Sequence, residues 1–128
     1  MRVLLVEDNP DHAELVKVAL ERVGVSSISV VRDVTSAQEV LEEQDVDLVL
    51  LDLKLPKMDG FSLLSWVRRR SKCSGLPVVV LTTSVHPKDM ERAYAEGASG
   101  YVVKPMRFGE LVRTIHQVVR LWSTGRHQ

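Results

Sequence analysis

The chain has 128 residues, which is enough for one domain with its own core and too few for two ordinary ones. Its 17 basic and 17 acidic residues balance, and this excludes the basic excess typical of a general nucleic-acid-binding protein. A single cysteine, Cys73, rules out a disulfide framework within the chain. No apolar run is long enough to span a membrane, and the first residues do not resemble a signal peptide. We therefore expect a cytoplasmic protein that binds neither nucleic acid nor membrane.

Short apolar segments alternate with amphipathic segments along the whole chain. Apolar runs bounded by turn residues predict strands buried on both faces, and apolar residues at helical spacing predict helices. The predicted strands are residues 2–6, 27–31, 48–52, 76–82 and 100–103. The first predicted helix is capped by Asn9 or Asp11 and runs to about Val23. The other predicted helices cover residues 34–43, 61–70, 87–96 and 107–122. We expect residues 1–122 to form one domain and residues 123–128 a short C-terminal tail.

Strict alternation of strands and helices with short connections predicts an α/β fold built on a parallel sheet with helices on both faces. In such a sheet, every strand ends at the same edge. That edge is where open α/β folds carry their sites. Five residues at four of the strand ends should therefore meet there although they are distant in sequence: Glu7, Asp8, Asp52, Thr82 and Lys104.

The residue types at these strand ends favour phosphoryl transfer. Three carboxylates repel one another unless a cation lies between them, and oxygen ligands alone suit Mg²⁺. A lysine and a hydroxyl facing a metal-bound carboxylate can neutralise a phosphoryl group, and Asp52 can act as the nucleophile. The alternative interpretation is a structural cluster of capping acids paired with Lys104.

Five sequence motifs, spread in order over nearly the whole chain, are similar to those of one family. They are V-E-D-N at 6–9, L-D-L-K-L-P-K-M-D-G at 51–60, L-T-T at 81–83, G-A-S-G-Y at 97–101 and K-P at 104–105. Together they resemble the receiver domain of two-component response regulators. The resemblance implies the flavodoxin-like (βα)5 fold, with five parallel strands in the order 2-1-3-4-5.

The resemblance also implies a role for each matching residue. Asp52 corresponds to the phosphoacceptor, and Thr82 and Lys104 to the hydroxyl and the lysine that contact the phosphoryl group. Tyr101 corresponds to the switch aromatic, which turns inward on phosphorylation. The implied Mg²⁺ ligands are Glu7, Asp8, Asp52 and the backbone carbonyl of Lys54. The Lys104–Pro105 peptide bond corresponds to one that is usually cis in the family.

A sensor histidine kinase is the partner that the family implies, and we expect a stand-alone, single-domain regulator. Phosphorylation would shift the population toward a state with a changed surface on the fourth helix, fifth strand and fifth helix. That surface would control a partner protein or a homodimer. The D-N-P-D-H-A-E-L opening, the T-T-S run and Trp122 are similar to the short regulators paired with bacterial phytochrome kinases.

Several readings stay open from the residues alone. An Mg²⁺-dependent phosphatase with an aspartyl nucleophile is one rival, although Lys54 stands where that class places a second acid. A receiver that binds partners without phosphate is another. The basic run at 68–70 predicts a solvated helix end whose charge suits the negative helix terminus, with a phosphate- or nucleic-acid-binding triplet as the alternative. The four histidines predict solvated or capping positions, and Thr83 replaces the alanine common beside the switch hydroxyl.

Overall fold

The computed structural model of the chain describes residues 1–55, 59–73 and 75–126. Within them, five strands alternate with five helices, as the sequence predicts. The strands are β1 (Arg2–Val6), β2 (Ser27–Val31), β3 (Leu48–Leu51), β4 (Val78–Thr82) and β5 (Gly100–Val103). The helices are α1 (Pro10–Arg22), α2 (Val34–Glu43), α3 (Gly60–Arg69), α4 (Pro87–Ala95) and α5 (Phe108–Arg126), with a 3₁₀ turn at Ser71–Cys73.

All five strands are parallel and lie in the order β2-β1-β3-β4-β5, which confirms the predicted flavodoxin-like fold. Every residue of β3 and β4 is buried, as the continuous apolar runs indicate. Side chains alternate between the two faces of each strand. Leu48 and Leu50 therefore pack with α1 and α5, whereas Val49 and Leu51 pack with α2, α3 and α4.

The ends of α1 show why the chain turns where it does. Asn9 caps the helix, because its side-chain oxygen accepts from the N–H groups of Asp11 at 2.9 Å and His12 at 3.1 Å. Pro10 follows in the first turn, where its missing N–H costs nothing. Gly24 ends the helix with a positive φ of 95°. Because Asn9 starts the helix three residues after β1, the first turn of α1 lies beside the carboxyl end of that strand.

Arg68 ties α3 to the opposite edge of the sheet and is neither a solvated nor a phosphate-binding arginine. Its guanidinium donates to the carbonyls of Leu76 at 2.7 Å and Gly97 at 2.8 Å, and to the hydroxyl of Ser99 at 3.1 Å. The predicted place of Arg68 in the last turn of α3 is confirmed, whereas its predicted solvated position is wrong. Arg69 and Arg70 are exposed, as the solvated reading predicts, and Arg70 lies 3.7 Å from Glu42.

The last helix, α5, runs to Arg126 and passes its predicted end at Trp122. Ser, Thr and Gly residues beyond Trp122 are weak helix formers, but unlike proline they leave the backbone hydrogen bonds intact. Trp122 packs into the core over Gly100, where a Cβ atom would lie 3.4 Å from its ring. None of the helices in the described ranges is long and apolar enough to cross a membrane.

Candidate functional site

The carboxyl edge of the sheet brings together the strand ends that the sequence singles out. Glu7 follows β1, Asp52 follows β3, Thr82 ends β4 and Lys104 follows β5. In the described part of the chain, the buried polar and charged residues are Glu7, Asp52 and Thr82, and all three lie at this edge. Burying such groups is costly unless they have partners, so the edge must be stabilised by specific contacts.

Lys104 extends its ammonium group into the centre of this cluster. The side chain is 9% exposed, and Nζ donates to Oδ2 of Asp52 at 3.2 Å and to Oε1 of Glu7. Nδ1 of His12, in the first turn of α1, lies 3.5 Å from the same nitrogen. The backbone N–H of Lys104 donates to the carbonyl of Thr82 at 2.7 Å. Two buried carboxylates therefore share one buried cation.

The two carboxyl groups differ in the direction of their pKa shifts. Burial raises the pKa of Glu7, and the neighbouring Asp52 raises it further against the opposing effect of Lys104. Burial also disfavours ionised Asp52, but hydrogen bonds from Glu7 and from the backbone of Lys54, together with Lys104, outweigh it and lower the pKa of Asp52. Asp52 is therefore kept as the carboxylate, which is the nucleophilic form.

The loop after β3 holds the second oxygen of Asp52. The backbone N–H of Lys54 donates to Oδ1 at 3.1 Å. Gly60 packs so closely on this loop that a Cβ atom would lie 3.0 Å from the carbonyl oxygen of Leu53 and 3.1 Å from that of Asp52. Asp59 caps α3 with its side chain. The Asp59–Gly60 pair, which the sequence marks as a turn, therefore also fixes the loop that orients Asp52.

A chain of hydrogen bonds connects Thr82 with α4 and β5; we call Thr82, Ser84, Asp89 and Tyr101 the Ser84 network. The N–H of Ser84 donates to Oγ1 of Thr82 at 3.3 Å, and its hydroxyl donates to Oδ2 of Asp89 at 2.5 Å. The Tyr101 hydroxyl donates to the carbonyl of Ser84 at 3.0 Å. Tyr101 is half-buried against the core, so its inward position is present in this structure.

A groove of about 320 Å³ lies beside the site, between α1 and the start of α5. It is lined by Lys104 and Thr83 and by the exposed side chains of Leu15 and Met106. Lys54 reaches across from the loop after β3, with Nζ 3.4 Å from Oγ1 of Thr83. The cluster is therefore buried but is adjacent to an open, largely apolar depression.

Comparison with known proteins assigns the family. Residues 3–116 match the response regulator receiver domain. The chain belongs to this family. The probable methanogenesis regulatory protein FilR2 of Methanothrix harundinacea (strain 6Ac) is 40% identical over 127 residues, which cover 94% of this chain and 82% of the relative. Several other curated relatives are DNA-binding or transcriptional regulators, and the chain spans 48% to 52% of their length.

Solved structures of other response regulators superpose on the chain over nearly its full length. The phosphorylated cyanobacterial phytochrome response regulator RcpA superposes with a TM-score of 0.87 at 30% identity, covering 97% of this chain and 94% of RcpA. The Mn²⁺-bound form of the response regulator Rcp1 superposes with a TM-score of 0.82 at 30% identity, covering 94% and 92% of the two chains. The receiver fold of the chain is thus shared over nearly its full length.

The acids that the receiver motifs assign to Mg²⁺ are not gathered into a single ligand set. Within the described residues, no group of three or more His, Cys, Asp and Glu side chains is placed to hold a metal ion. Asp8 is partly exposed, with Oδ1 3.8 Å from a guanidinium nitrogen of Arg32, while Glu7 and Asp52 are drawn onto Lys104. The carboxylate oxygens still suit a hard cation, because they are the donors that Mg²⁺ prefers.

The Lys104–Pro105 peptide bond is not cis, so this prediction was wrong. The described residues contain no cis peptide bond. The trans form is favoured before proline by about 0.5–1 kcal/mol, and Lys104 reaches Asp52 and Glu7 with the bond in that form.

His12 belongs to the site, although the sequence predicts a solvated or capping histidine. Its Nδ1 lies 3.8 Å from Oε1 of Glu7 as well as near Lys104. The usable signal was its position in the first turn of the helix that follows β1, since that turn lies at the site edge. The capping prediction is confirmed for His86, whose Nδ1 accepts from the N–H of Lys88 at 3.2 Å. His127 lies outside the described residues.

Proposed function

We propose that this receiver accepts a phosphoryl group on Asp52 from the phosphohistidine of a sensor histidine kinase. One observation carries the proposal: the buried Asp52 carboxylate has a lowered pKa and shares the Lys104 ammonium, 3.2 Å away, at the edge where Thr82 ends its strand. An ion pair with a purely structural role would not require the adjacent groove or the Thr82 hydroxyl at the end of the neighbouring strand.

The reaction follows from the charges of these groups. A carboxylate oxygen of Asp52 forms a bond to phosphorus as the phosphorus–nitrogen bond of the donor breaks, and the leaving imidazole keeps the electron pair. Lys104 pairs with a phosphoryl oxygen, and Thr82 donates its hydroxyl hydrogen to another. Bound Mg²⁺ supplies the remaining positive charge. Its ligands would be Glu7, Asp8, Asp52 and the backbone carbonyl of Lys54.

Phosphorylation adds about −1.5 to −2 charge at Asp52 and three acceptor oxygens. In the proposed switch, Thr82 bonds one of these oxygens, which stabilises the inward position of Tyr101. The phosphoryl group therefore shifts the balance between two states by contacting them differently. The surface that responds consists of α4, β5 and α5, which expose the apolar side chains of Met90, Tyr94, Val103 and Leu121. We propose that this surface binds a partner protein or a second copy of the chain.

We further propose that the kinase is of the phytochrome type and that the receiver acts in the cytoplasm. The similarity to RcpA over 94% of that chain supports this reading. Dephosphorylation would be catalysed within the receiver itself, as the resemblance to the family implies. In this role, the chain is a signalling protein rather than an enzyme with turnover on external substrates.

An intact mass measurement tests the phosphoacceptor assignment. The wild-type chain is incubated with Mg²⁺ and acetyl phosphate, beside Asp52→Asn and a sample without metal. We expect one phosphoryl adduct on the wild type and none in either control. A Glu43→Gln variant, which removes an exposed acid far from the site at the end of α2, should form the adduct like the wild type.

The same preparation separates the rival functions. Sustained release of phosphate from small phosphate esters would identify a phosphatase and contradict the proposal. Two negative results together would identify a receiver that acts without phosphate: no phosphoryl adduct forms, and beryllofluoride, which mimics the aspartyl phosphate, does not bind. Beryllofluoride binding without a detectable adduct would mean that hydrolysis is faster than detection, and the proposal would stand.

A further inference from the structure

Ser84 uses each of its polar groups to connect a different part of the molecule. Its N–H donates to the Thr82 hydroxyl at 3.3 Å, and its carbonyl accepts from the Tyr101 hydroxyl at 3.0 Å. Its own hydroxyl donates to Asp89 at 2.5 Å and accepts from the N–H of His86 at 3.3 Å. One half-buried residue thus joins the end of β4, the aromatic side chain of β5 and the start of α4.

The bond to Asp89 is the strongest contact in this network. A hydroxyl that donates to an ionised carboxylate at 2.5 Å is a charge-assisted hydrogen bond, which is about twice as strong as a neutral one. Asp89 is half-buried in the first turn of α4, so the bond is partly shielded from water. The other contacts of Ser84 are longer, at 3.0–3.3 Å. Asp89 therefore makes the shortest and strongest contact that holds Ser84 in place.

We propose that Asp89 is a positioning residue, which holds Ser84 so that the Thr82 hydroxyl, Tyr101 and the first turn of α4 move as one unit. The signalling consequence rests on the proposed phosphoacceptor function, whereas the tie itself is a property of the unphosphorylated chain. Through this tie, a displacement of Thr82 toward a phosphoryl group reaches α4. Without the tie, Tyr101 would lose the fixed carbonyl that holds its hydroxyl in the inward position.

Asp89 has a second favourable interaction that the test must separate from the first. An acid in the first turn of a helix stabilises the helix through its dipole, whether or not it bonds Ser84. Removing the Ser84 hydroxyl leaves that dipole interaction in place and breaks only the tie. The control is Glu91→Ala, which removes one negative charge from an exposed position on the same helix, away from Ser84.

Fluorine NMR of protein labelled with 3-fluorotyrosine reads the tie directly. The chain has two tyrosines, Tyr94 and Tyr101, so a Tyr94→Phe variant assigns the two signals. We expect Asp89→Ala and Ser84→Ala each to move the Tyr101 signal toward the exposed tyrosine position, with the outward population rising roughly tenfold. Ser84→Thr, which keeps the hydroxyl, and Glu91→Ala should both leave the signal at its wild-type position. The Asp89→Ala/Ser84→Ala double variant should resemble each single variant.

The proposal is wrong if Tyr101 gives the wild-type signal in both alanine variants, or if Asp89→Ala shifts it while Ser84→Ala does not. These results are independent of phosphorylation, because they are obtained without phosphodonor. Adding beryllofluoride and Mg²⁺ then tests the signalling consequence. We expect Asp89→Ala to bind the mimic while its α4 amide signals respond less than those of the wild type. A wild type that binds no mimic would contradict the phosphoacceptor function instead.

Discussion

At the scale of single residues, the site is organised by Lys104. Its ammonium is the cation that makes it possible to bury Glu7 and Asp52 side by side, and it lies closer to Glu7 than to the proposed nucleophile. The two acids therefore have different roles. Asp52 has a lowered pKa and stays ionised, whereas Glu7 has a raised pKa and carries the electrostatic cost of the cluster. A divalent cation would relieve that cost by replacing the ammonium beside Glu7.

This division of roles predicts how Glu7→Gln changes the pH dependence of stability without metal. In the native protein, the pKa of Glu7 lies above its unfolded-chain pKa of about 4.5, so the native carboxyl holds its proton more tightly. Stability from this group is thus fully present below that value and is lost as pH rises through the raised native pKa. Glutamine does not titrate, so the variant should lack this loss. Urea unfolding at several pH values in a chelating buffer measures it.

The slope, rather than the absolute free energy, is the quantity to compare. Glu7→Gln also replaces the carboxylate oxygen that Lys104 contacts, so the absolute free energies of the two proteins differ for a second reason. Asp52 contributes in the opposite direction and at lower pH, because its native pKa lies below 3.8. A difference in unfolding free energy between wild type and variant that stays constant as pH rises above 4.5 would contradict the assignment.

At the scale of elements, the fold depends on side chains that join segments distant in sequence. Arg68 connects α3 to the start of β4 and to the turn before β5. Replacing it with methionine would leave the Leu76 and Gly97 carbonyls without these donors. We expect a loss of about 2 kcal/mol in the free energy of unfolding. Arg69→Met, at the neighbouring exposed position, should change it by less than about 0.5 kcal/mol. Equal effects of the two variants in urea would contradict this account.

The two glycines that end α1 and α4 differ in their surroundings. Both have a positive φ, 95° at Gly24 and 110° at Gly97. Alanine at either position pays about 1–2 kcal/mol of backbone strain. A Cβ atom at Gly97 would also lie 2.5 Å from Cγ of Arg68, whereas Gly24 has nothing within 4 Å. Gly97→Ala should therefore lower the melting temperature more than Gly24→Ala, and the reverse order in calorimetry would refute the packing argument.

The sequence predicted the elements better than it predicted these connections. The pattern of apolar runs located β5 to the residue and predicted a parallel sheet, whereas the order of the strands was implied only by the resemblance to receiver domains. It also brought Asp52, Thr82 and Lys104 to one edge, since parallel strands share their direction. The contacts of Arg68 and His12 were not predicted, because they depend on how side chains of distant segments approach each other. Local charge patterns contain no information about that approach.

At the scale of the whole molecule, helices cover both faces of the sheet, and the proposed responsive surface lies on one side of the protein. The proposed surface of α4, β5 and α5 adjoins the site through the segments that follow β4 and β5, and it exposes Met90, Tyr94, Val103 and Leu121. Scattered apolar residues are normal on a protein surface, but a contiguous patch marks an interface. If this surface is used for self-association, phosphorylation should change the fraction of dimer.

Sedimentation velocity with acetyl phosphate and Mg²⁺ measures that fraction. We expect the dimer fraction to rise on phosphorylation and Tyr94→Ala to weaken the dimer by about tenfold, as for a central interface aromatic. Leu15→Ala truncates an apolar residue of similar exposure, 47% against 49%, on α1 and should leave the dimer unchanged. A phosphorylated chain that stays monomeric would assign the surface to a different protein partner.

The central claim is that Asp52, and not one of the neighbouring acids, takes the phosphoryl group. Borohydride reduces an aspartyl phosphate to homoserine, which survives proteolysis and can be located by peptide sequencing in a mass spectrometer. After incubation with acetyl phosphate and Mg²⁺, we predict homoserine at position 52 in the wild type. A reduced residue at Glu7 or Asp8, or an adduct that leaves position 52 unmodified, would contradict the account.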